Sequence, residues 1–266
     1  MIKVCKNGLE AFQFTDKVFS GCIHGLFSRK GGLSTGQWAS LNQGSNIGDL
    51  RDNVIENRKR TFNFYDRSVD SIFDVWQVHG NEIICTDNPR CLDEAHQKAD
   101  AIFTNNPEIT LFMRFADCVP ILIYDPEKQV VGIVHAGWQG TVNNIVGHAI
   151  KTISVRYGID PAALHAGIGP SIGPDHYIVG CDVIKQVKKN FGDNDSQKLL
   201  TIIGSNTHFD LWRANQLFLE RAGVKFIERA DICTACNLQD WYSHRAEKGL
   251  TGRFGALIAL RDSTDD

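Results

Sequence analysis

Asp117, Cys118 and His135 are the residues whose types and spacing most directly promise chemistry in this chain. Asp117 and Cys118 precede the apolar run Val119–Tyr124, and His135 follows a second run, Val130–Val134. Between them Asp125-Pro126-Glu127-Lys128 reads as a turn, so the two runs are predicted to pair antiparallel in a buried sheet. That pairing brings a thiol and an imidazole to one end of a hairpin, where they can ligate a metal or act as nucleophile and base. His79, between Val75-Trp76-Gln77-Val78 and Gly80, occupies the same kind of strand end, where a side chain can face a cleft. Two imidazoles and one thiolate suit Zn²⁺, and three protein ligands leave a fourth position for water, whose pKa then falls to about 7. His79 and Cys118 lie far apart and no H-E-x-x-H links them, so a Cys118–His135 nucleophile pair stays open. So does a buried thiol beside a satisfied histidine.

The remaining histidines have blander settings. His148 falls within a helical pattern, His96 and His176 lie in polar loops, and His24, His165 and His208 have no acidic or thiol neighbours in sequence. Eight cysteines are scattered along the chain, and Cys233 and Cys236 form the one C-x-x-C, which reads as two thiols near a turn. A glycine-rich loop, Phe27-Ser28-Arg29-Lys30-Gly31-Gly32-Leu33-Ser34-Thr35-Gly36, precedes Ser40-Leu41-Asn42-Gln43-Gly44 and Ile47-Gly48-Asp49. It can offer amides and a guanidinium to an anion, although it matches neither the Walker A nor the G-x-G-x-x-G spacing. A surface loop with turn glycines fits as well.

The elements that must position these groups follow from the apolar pattern. Residues 1–27 alternate weakly and predict short strands, and a helix is expected from Val54 to Phe64 with Asp52 as its cap. Val75–Gly80 reads as a strand resuming at Ile83-Ile84, and Ala99–Thr104 and Ile109–Phe115 lead into the hairpin. After Trp138, residues Val142, Ile145, Val146, Ala149, Ile150 and Ile153 share one helix face, and Gly158 stops the helix. Its start beside His135 would aim its free N–H groups at that residue. A strand over His165–Gly173, helices from Asp182 to about Phe191 and from Asp210 to Ala222, and strands Phe226–Glu228 and Phe254–Leu260 complete the pattern, with a frayed tail over Asp262–Asp266. With no linker and no repeat, the simplest organisation is one α+β domain over residues 1–266.

Composition narrows the function classes. The 266 residues are 42% hydrophobic and 22% charged, with net charge −3 and no Lys/Arg run, so nucleic acid and membrane surfaces are not expected partners. No apolar stretch reaches the ~18 residues of a membrane span. Met1-Ile2-Lys3-Val4-Cys5 carries no signal-peptide pattern, so a cytoplasmic protein is expected.

The segments F-S-R-K-G-G-L-S, S-L-N-Q-G, I-G-D, Q-V-H-G, A-D-C-V-P-I-L-I-Y-D-P, V-H-A-G-W-Q-G-T, G-P-S-I-G and T-G-R-F-G occur in an order that spans Phe27 to Leu260. Together this set resembles the multicopper polyphenol oxidase, or laccase-domain, family. Its members are also described as purine nucleoside phosphorylases with adenosine deaminase activity. The resemblance implies a single α+β domain with mixed sheets in the middle and helices packed outside, and a zinc held by His79, Cys118 and His135. It implies purine nucleoside and phosphate as substrates. The residues expected to face them are Arg29, Asn42, Gln77, Trp138, Arg245 and Arg253, with Asp117, Cys118 and His135 in the catalytic group. In phosphorolysis Arg29 and the glycine loop would hold phosphate, and Asp117 or Asn42 would donate to the departing base. In deamination Asp117 would shuttle protons while a metal-activated water attacks C6 of adenine. The chain departs from the family pattern at Gln139, where an Arg is common, so Arg29, Arg245 or Arg253 must carry more of any phosphate binding. It departs again at Ser243-His244-Arg245, where an aromatic residue often precedes the Arg.

Three rivals share these residues. No H-x-E zinc-deaminase signature occurs, so deamination would need a different architecture. No H-x-H occurs either, which disfavours multinuclear copper chemistry, although a soft mononuclear site can take Cu²⁺ in vitro. A Cys118–His135 hydrolase cutting an amide, such as a peptidoglycan precursor, is the strongest alternative of another class. A binding protein with structural zinc would need a fourth ligand, Cys233 or Cys236.

Overall fold

In the computed structural model, which describes residues 1–261, the two apolar runs pair as expected: Val119–Asp125 and Val130–Ala136 form an antiparallel hairpin with Pro120 opposite His135. The first half of the chain contains β1 (Ile2–Lys6), β2 (Leu9–Gln13), β3 (Cys22–Phe27), α1 (Arg51–Asn63), β4 (Ile72–Phe73) and β5 (Ile83–Cys85). It continues with β6 (Ala101–Thr104), β7 (Thr110–Phe115), β8 (Val119–Asp125) and β9 (Val130–Ala136). The second half adds α2 (Trp138–Val142), α3 (Ile145–Tyr157), β10 (His165–Ile168), β11 (Ile178–Val179) and α4 (Cys181–Leu199). After these come β12 (Leu200–Ile203), β13 (Asn206–Phe209), α5 (Leu211–Arg221), β14 (Phe226–Arg229) and β15 (Phe254–Leu260).

Two six-stranded mixed sheets, β1-β2-β3-β15-β7-β4 and β14-β10-β8-β9-β6-β5, face one another, and β11-β13-β12 form a small antiparallel sheet. The period-two alternation of β8 and β9 explains the layering. Leu122, Tyr124, Val131 and Ile133 meet Leu111, Met113, Phe115, Ala256 and Ile258 in one buried cluster between the sheets. Ile121, Ile123, Val130 and Val134 face the other way, with Ile145, Ala149 and Ile153 of α3 and Leu211, Ala214 and Phe218 of α5. On the far side of the first sheet, Phe27, Phe112 and Leu257 cluster with Phe62 of α1. Each such aliphatic or aromatic side chain contributes roughly 1.5–3 kcal/mol by leaving water, so the hairpin, buried on both faces, anchors the fold. This is the expected α+β arrangement, sheets inside and helices outside. Among the described residues no helix is long and apolar enough to cross a membrane. The tail expected at Asp262–Asp266 lies outside the described residues.

The structure corrects several local expectations. Leu50, not Asp52, is the N-cap of α1, and Asp52 sits in its first turn. The helix expected beside His135 is broken: Asn144 adopts a left-handed conformation (φ 56°) and caps α3 by accepting from the Gly147 amide. What starts next to His135 is the five-residue α2, too short for the dipole argument. Val75–His79 is not a strand. It makes a single parallel bridge, Trp76 to Lys98, before the chain turns at His79, whose φ is +60°. The sheet β11-β13-β12 was not foreseen because its strands are short and largely exposed.

Gly132 on β9 lies opposite Phe103, and a Cβ there would come within 2.1 Å of that buried ring. Gly132→Ala should therefore overpack this face and lower unfolding free energy by about 1–3 kcal/mol, read from the urea midpoint. An unchanged midpoint would contradict this packing.

Candidate metal centre

The register of β8 and β9 sets Cys118, just before β8, beside His135 in β9. His79 arrives from a segment tied down by side chains rather than by a ladder. The Gln77 amide imitates a strand partner: its Nε2 donates to Arg114 O (2.8 Å) and its Oε1 accepts from Arg114 N (3.0 Å). The turn itself is wrapped around Asp100. One carboxylate oxygen accepts from His79 N (3.0 Å), and the other accepts from Gly80 N (2.7 Å) and Val78 N (3.2 Å). The oxygen that serves His79 also lies 2.8 Å from His135 Nδ1, while the Asp100 carbonyl accepts from the His135 amide at 2.7 Å. A fully buried carboxylate thus fixes both the loop that carries one imidazole and the ring of the other.

The result is a compact donor set. The ligand atoms of His79, Cys118 and His135 lie within 4.8 Å of one another, and the two imidazole rings are 4.9 Å apart at an interplanar angle of 72°. Gly137 leaves room for it: a Cβ there would come 2.9 Å from the His79 ring and 3.0 Å from the Cys118 sulfur. With Nδ1 of His135 engaged by Asp100, Nε2 is the nitrogen left for a ligand, the arrangement that orients metal-binding histidines. Two nitrogens and one sulfur with a further position to fill fit a zinc ion of the catalytic type.

The electrostatics agree. Burial pushes the Cys118 thiol up, but the His135 charge and hydrogen bonds from His135 and His79 more than reverse it, so the sulfur favours the thiolate. Burial disfavours the His135 imidazolium, but the Cys118 thiolate and Asp100 outweigh it and raise its proton affinity. Burial likewise opposes ionisation of Asp100, and the His135 hydrogen bond and charge, with the Gly80 and His79 amides, bring it below the usual carboxylate range.

The donors open into a cleft of about 520 Å³. Of the sequence candidates, Gln77, His79, Asp117, Cys118, His135, Trp138, Arg245 and Arg253 line it. Asp117 has a left-handed backbone (φ 78°), and its carboxylate accepts from Thr234 Oγ1 (2.7 Å) and Arg245 N (2.6 Å). Arg245 lies over the Tyr177 ring at 5.0 Å, and Arg253 Nη1 donates to the carbonyls of Thr251 and Gly252. Arg29 and Asn42 are not brought to the cleft. Arg29 stacks over Tyr242 and bonds to Ala39 O, Leu238 O and Glu247, while the fully buried Asn42 amide holds Gly44, Asp49 and the Arg253 backbone. Gln139 is exposed and outside the lining. Cys233 and Cys236, considered as fourth ligands, belong instead to a separate cluster with Asp175 and His176.

Sequence reasoning missed Asp100 and Arg114. Each was marked by a charge inside or at the edge of an apolar strand, a residue type rarely buried without a partner. Arg114 lines the cleft and reaches back to Asp74, a fully buried carboxylate 2.8 Å from Arg90 Nε, 3.0 Å from His96 Nε2 and 3.7 Å from Arg58 and Arg114. Burial would raise the Asp74 pKa, but His96 and the surrounding guanidiniums drive it far below the carboxylate range. One carboxylate among three guanidiniums leaves this wall electropositive.

Comparison with known proteins finds relatives along most of the chain. The family model described as multi-copper polyphenol oxidoreductase laccase matches residues 23–261. Purine nucleoside phosphorylase YlmD of Geobacillus stearothermophilus is 33% identical over 252 residues, 92% of each chain. A purine nucleoside phosphorylase of Deinococcus radiodurans is 35% identical over 238 residues, 89% of this chain and 88% of its own. The crystal structure of the Geobacillus YlmD superposes with a TM-score of 0.89 at 32% identity, covering 96% of this chain and 97% of that one. The Bacillus licheniformis hypothetical protein YfiH gives the same TM-score of 0.89 at 30% identity and the same coverage, 96% and 97%.

Asp100→Asn should weaken Zn²⁺ binding about 10- to 100-fold in a chelator competition, since the positioning carboxylate is lost while the three ligands stay; unchanged affinity would remove Asp100 from the site. Asp74 has a lower proton affinity folded than unfolded, so its stabilisation is complete above about pH 4 and is lost as pH falls further. Asp74→Asn should cost about 3–5 kcal/mol at neutral pH and flatten the acid limb of a stability–pH curve.

Proposed function

The chain belongs to the multi-copper polyphenol oxidoreductase laccase family, and from there we propose that it is a zinc-dependent purine nucleoside phosphorylase with a secondary adenosine deaminase activity. The observation that carries this reading is the pairing of a three-donor metal site with a cleft whose lining holds Arg114, Arg245 and Arg253 but a single carboxylate, Asp117. Such a cleft favours an anion beside a neutral nucleoside. The names of the relatives, purine nucleoside phosphorylases at about a third identity, support the same substrates.

His79, Cys118 and His135 would hold the ion, and when bound it would supply Lewis acidity at that end of the cleft. The indole of Trp138, in the cleft lining, offers a stacking surface for the purine. The guanidiniums hold phosphate through charge-assisted hydrogen bonds. In phosphorolysis a phosphate oxygen bonds to C1′ of the ribose as the C1′–N9 bond breaks, and the bonding pair leaves with the purine, which takes up a proton. Asp117, kept in place by Thr234 and the Arg245 amide, stabilises the cationic sugar in that transition state. In deamination water oxygen bonds to C6 and the amine leaves as ammonia, with Asp117 carrying the proton from one to the other.

A second reading has one observation in its favour: Cys118, His135 and Asp100 stand in the order of a nucleophile, base and orienting acid. The second imidazole, His79, on the same sulfur weighs toward a metal. As for oxidation with copper, the set of three donors serves one ion, not the several that dioxygen reduction requires.

Metal-defined protein incubated with adenosine should release adenine and ribose 1-phosphate only when phosphate is present, with inosine as the lesser product. Turnover of neither kind would overturn the reading, and cleavage of an amide by chelated protein with an alkylatable Cys118 would favour the hydrolase. Cys118→Ala should fold but lose metal and turnover together. Arg253→Ala should raise KM for phosphate by roughly tenfold or more, since a hydrogen bond to a charged group contributes about 1.5–3 kcal/mol.

A further inference from the structure

We propose that Asp175, His176, Cys233 and Cys236 form a second metal site, one that takes a thiophilic divalent cation such as Zn²⁺ and pins together two loops behind the cleft. It uses none of the residues of the first site. Read along the chain, Cys233-Thr234-Ala235-Cys236 is a single C-x-x-C with no second half, and His176 is a loop histidine. The fold supplies the missing half. It sets the loop after β10 against the loop after β14, and the four ligand atoms then lie within 4.8 Å of one another. His176 Nδ1 is 3.5 Å from the Cys236 sulfur, 3.8 Å from the Cys233 sulfur and 3.1 Å from Asp175 Oδ1. Asp175 Oδ2 is 4.0 Å from the Cys236 sulfur.

The donor chemistry selects the cation. Two thiolates, an imidazole and a carboxylate match the soft-to-borderline preference and the tetrahedral coordination number of zinc, and they match neither Mg²⁺ nor Ca²⁺. Four protein ligands close the shell, so this ion would be structural, where the His79–Cys118–His135 set leaves a position open. The Gly173 amide donates to the Cys233 sulfur at 3.1 Å, a contact that orients this ligand. Gly173 also leaves the space: a Cβ there would come 2.8 Å from Asp175 Oδ1 and 3.2 Å from the Cys233 sulfur. Cys233 is buried, while Asp175, His176 and Cys236 are exposed, so a cation reaches the site from solvent.

The place of the cluster gives it a task. Ser171 and Cys233 form a parallel bridge, and the Thr234 amide donates to Ser171 O at 3.0 Å. Thr234, between the two cysteines, holds the Asp117 carboxylate, and Ile172 and Tyr177, flanking the other loop, line the cleft. An ion here would lock the Asp117 support from behind.

Full-length protein stripped of metal and titrated with Co²⁺ tests this, because thiolate-to-cobalt charge-transfer absorption counts cysteine-bound ions. Wild type should bind two equivalents. Cys118→Ser should retain one with its charge-transfer band, and Cys236→Ser and His176→Ala should each retain the other. Both of the latter residues are exposed, and circular dichroism checks that the variants fold. Zn²⁺ should raise the Tm of Cys118→Ser but not of Cys118→Ser/Cys236→Ser. A single equivalent that survives Cys118→Ser and is lost in Cys236→Ser would sustain this site and remove the first. The proposal is overturned if wild type binds one equivalent that Cys118→Ser abolishes. It is equally overturned if protein purified under reducing conditions carries a Cys233–Cys236 disulfide.

Discussion

A buried carboxylate has to be saturated with donors, and Asp100 meets that demand in a way that builds the site around it. Three consecutive amides, from Val78 to Gly80, and the Nδ1 of His135 converge on its two oxygens. Losing one of these four partners leaves a buried charge less fully compensated, a cost above that of a surface hydrogen bond. The same contacts force the turn that carries His79 to lie against the end of β9. The His79 imidazole is therefore positioned by electrostatic necessity at a point where no sheet ladder reaches, and the strained backbone of His79 (φ +60°) is held by bonds on both sides.

The hairpin beneath this turn supplies the rigidity. Because β8 and β9 are buried on both faces, a slip of one residue would exchange the inter-sheet and helix-facing side chains wholesale, and the register that pairs Pro120 with His135 is fixed. Around that fixed point the cleft is assembled from side chains each tethered by a specific bond: Gln77 to the β7 backbone, Asp117 to Thr234 and Arg245, Arg114 to Asp74. Charge on the walls is asymmetric for the same reason. Arg58, Arg90 and Arg114 share a single carboxylate, and the surplus faces the cleft through Arg114.

Periodicity made the hairpin, β15 and α5 legible, since alternation and helical spacing report burial directly, while the layering was implied by the resemblance. The convergence of Cys118 and His135 followed from pairing alone; His79 was picked out beside Gly80 as a strand-end residue, and the ordered motifs pointed to it again, although the structure has a turn there rather than a strand. What sequence could not show were contacts between side chains far apart along the chain. Asp100 lay unremarked within the run Ala99–Thr104, while Arg29, in a glycine-rich loop that could have cradled an anion, and Asn42, just after it, turned out to hold their own loops together. The break between α2 and α3 escaped because apolar spacing runs straight through Asn143-Asn144, and only the left-handed Asn144 interrupts it. His176 and the two cysteines near it had ordinary surroundings in one dimension and a common centre in three.

Anomalous diffraction at the zinc edge from crystals of the zinc-loaded Cys236→Ser variant addresses the central claim most directly, because it isolates the cleft ion. A peak about 2.3 Å from the Cys118 sulfur and about 2.0 Å from one nitrogen each of His79 and His135, with the fourth position held by solvent or phosphate, is the result this structure predicts. An ion bound away from these three side chains, or enclosed by a fourth protein ligand, would contradict it.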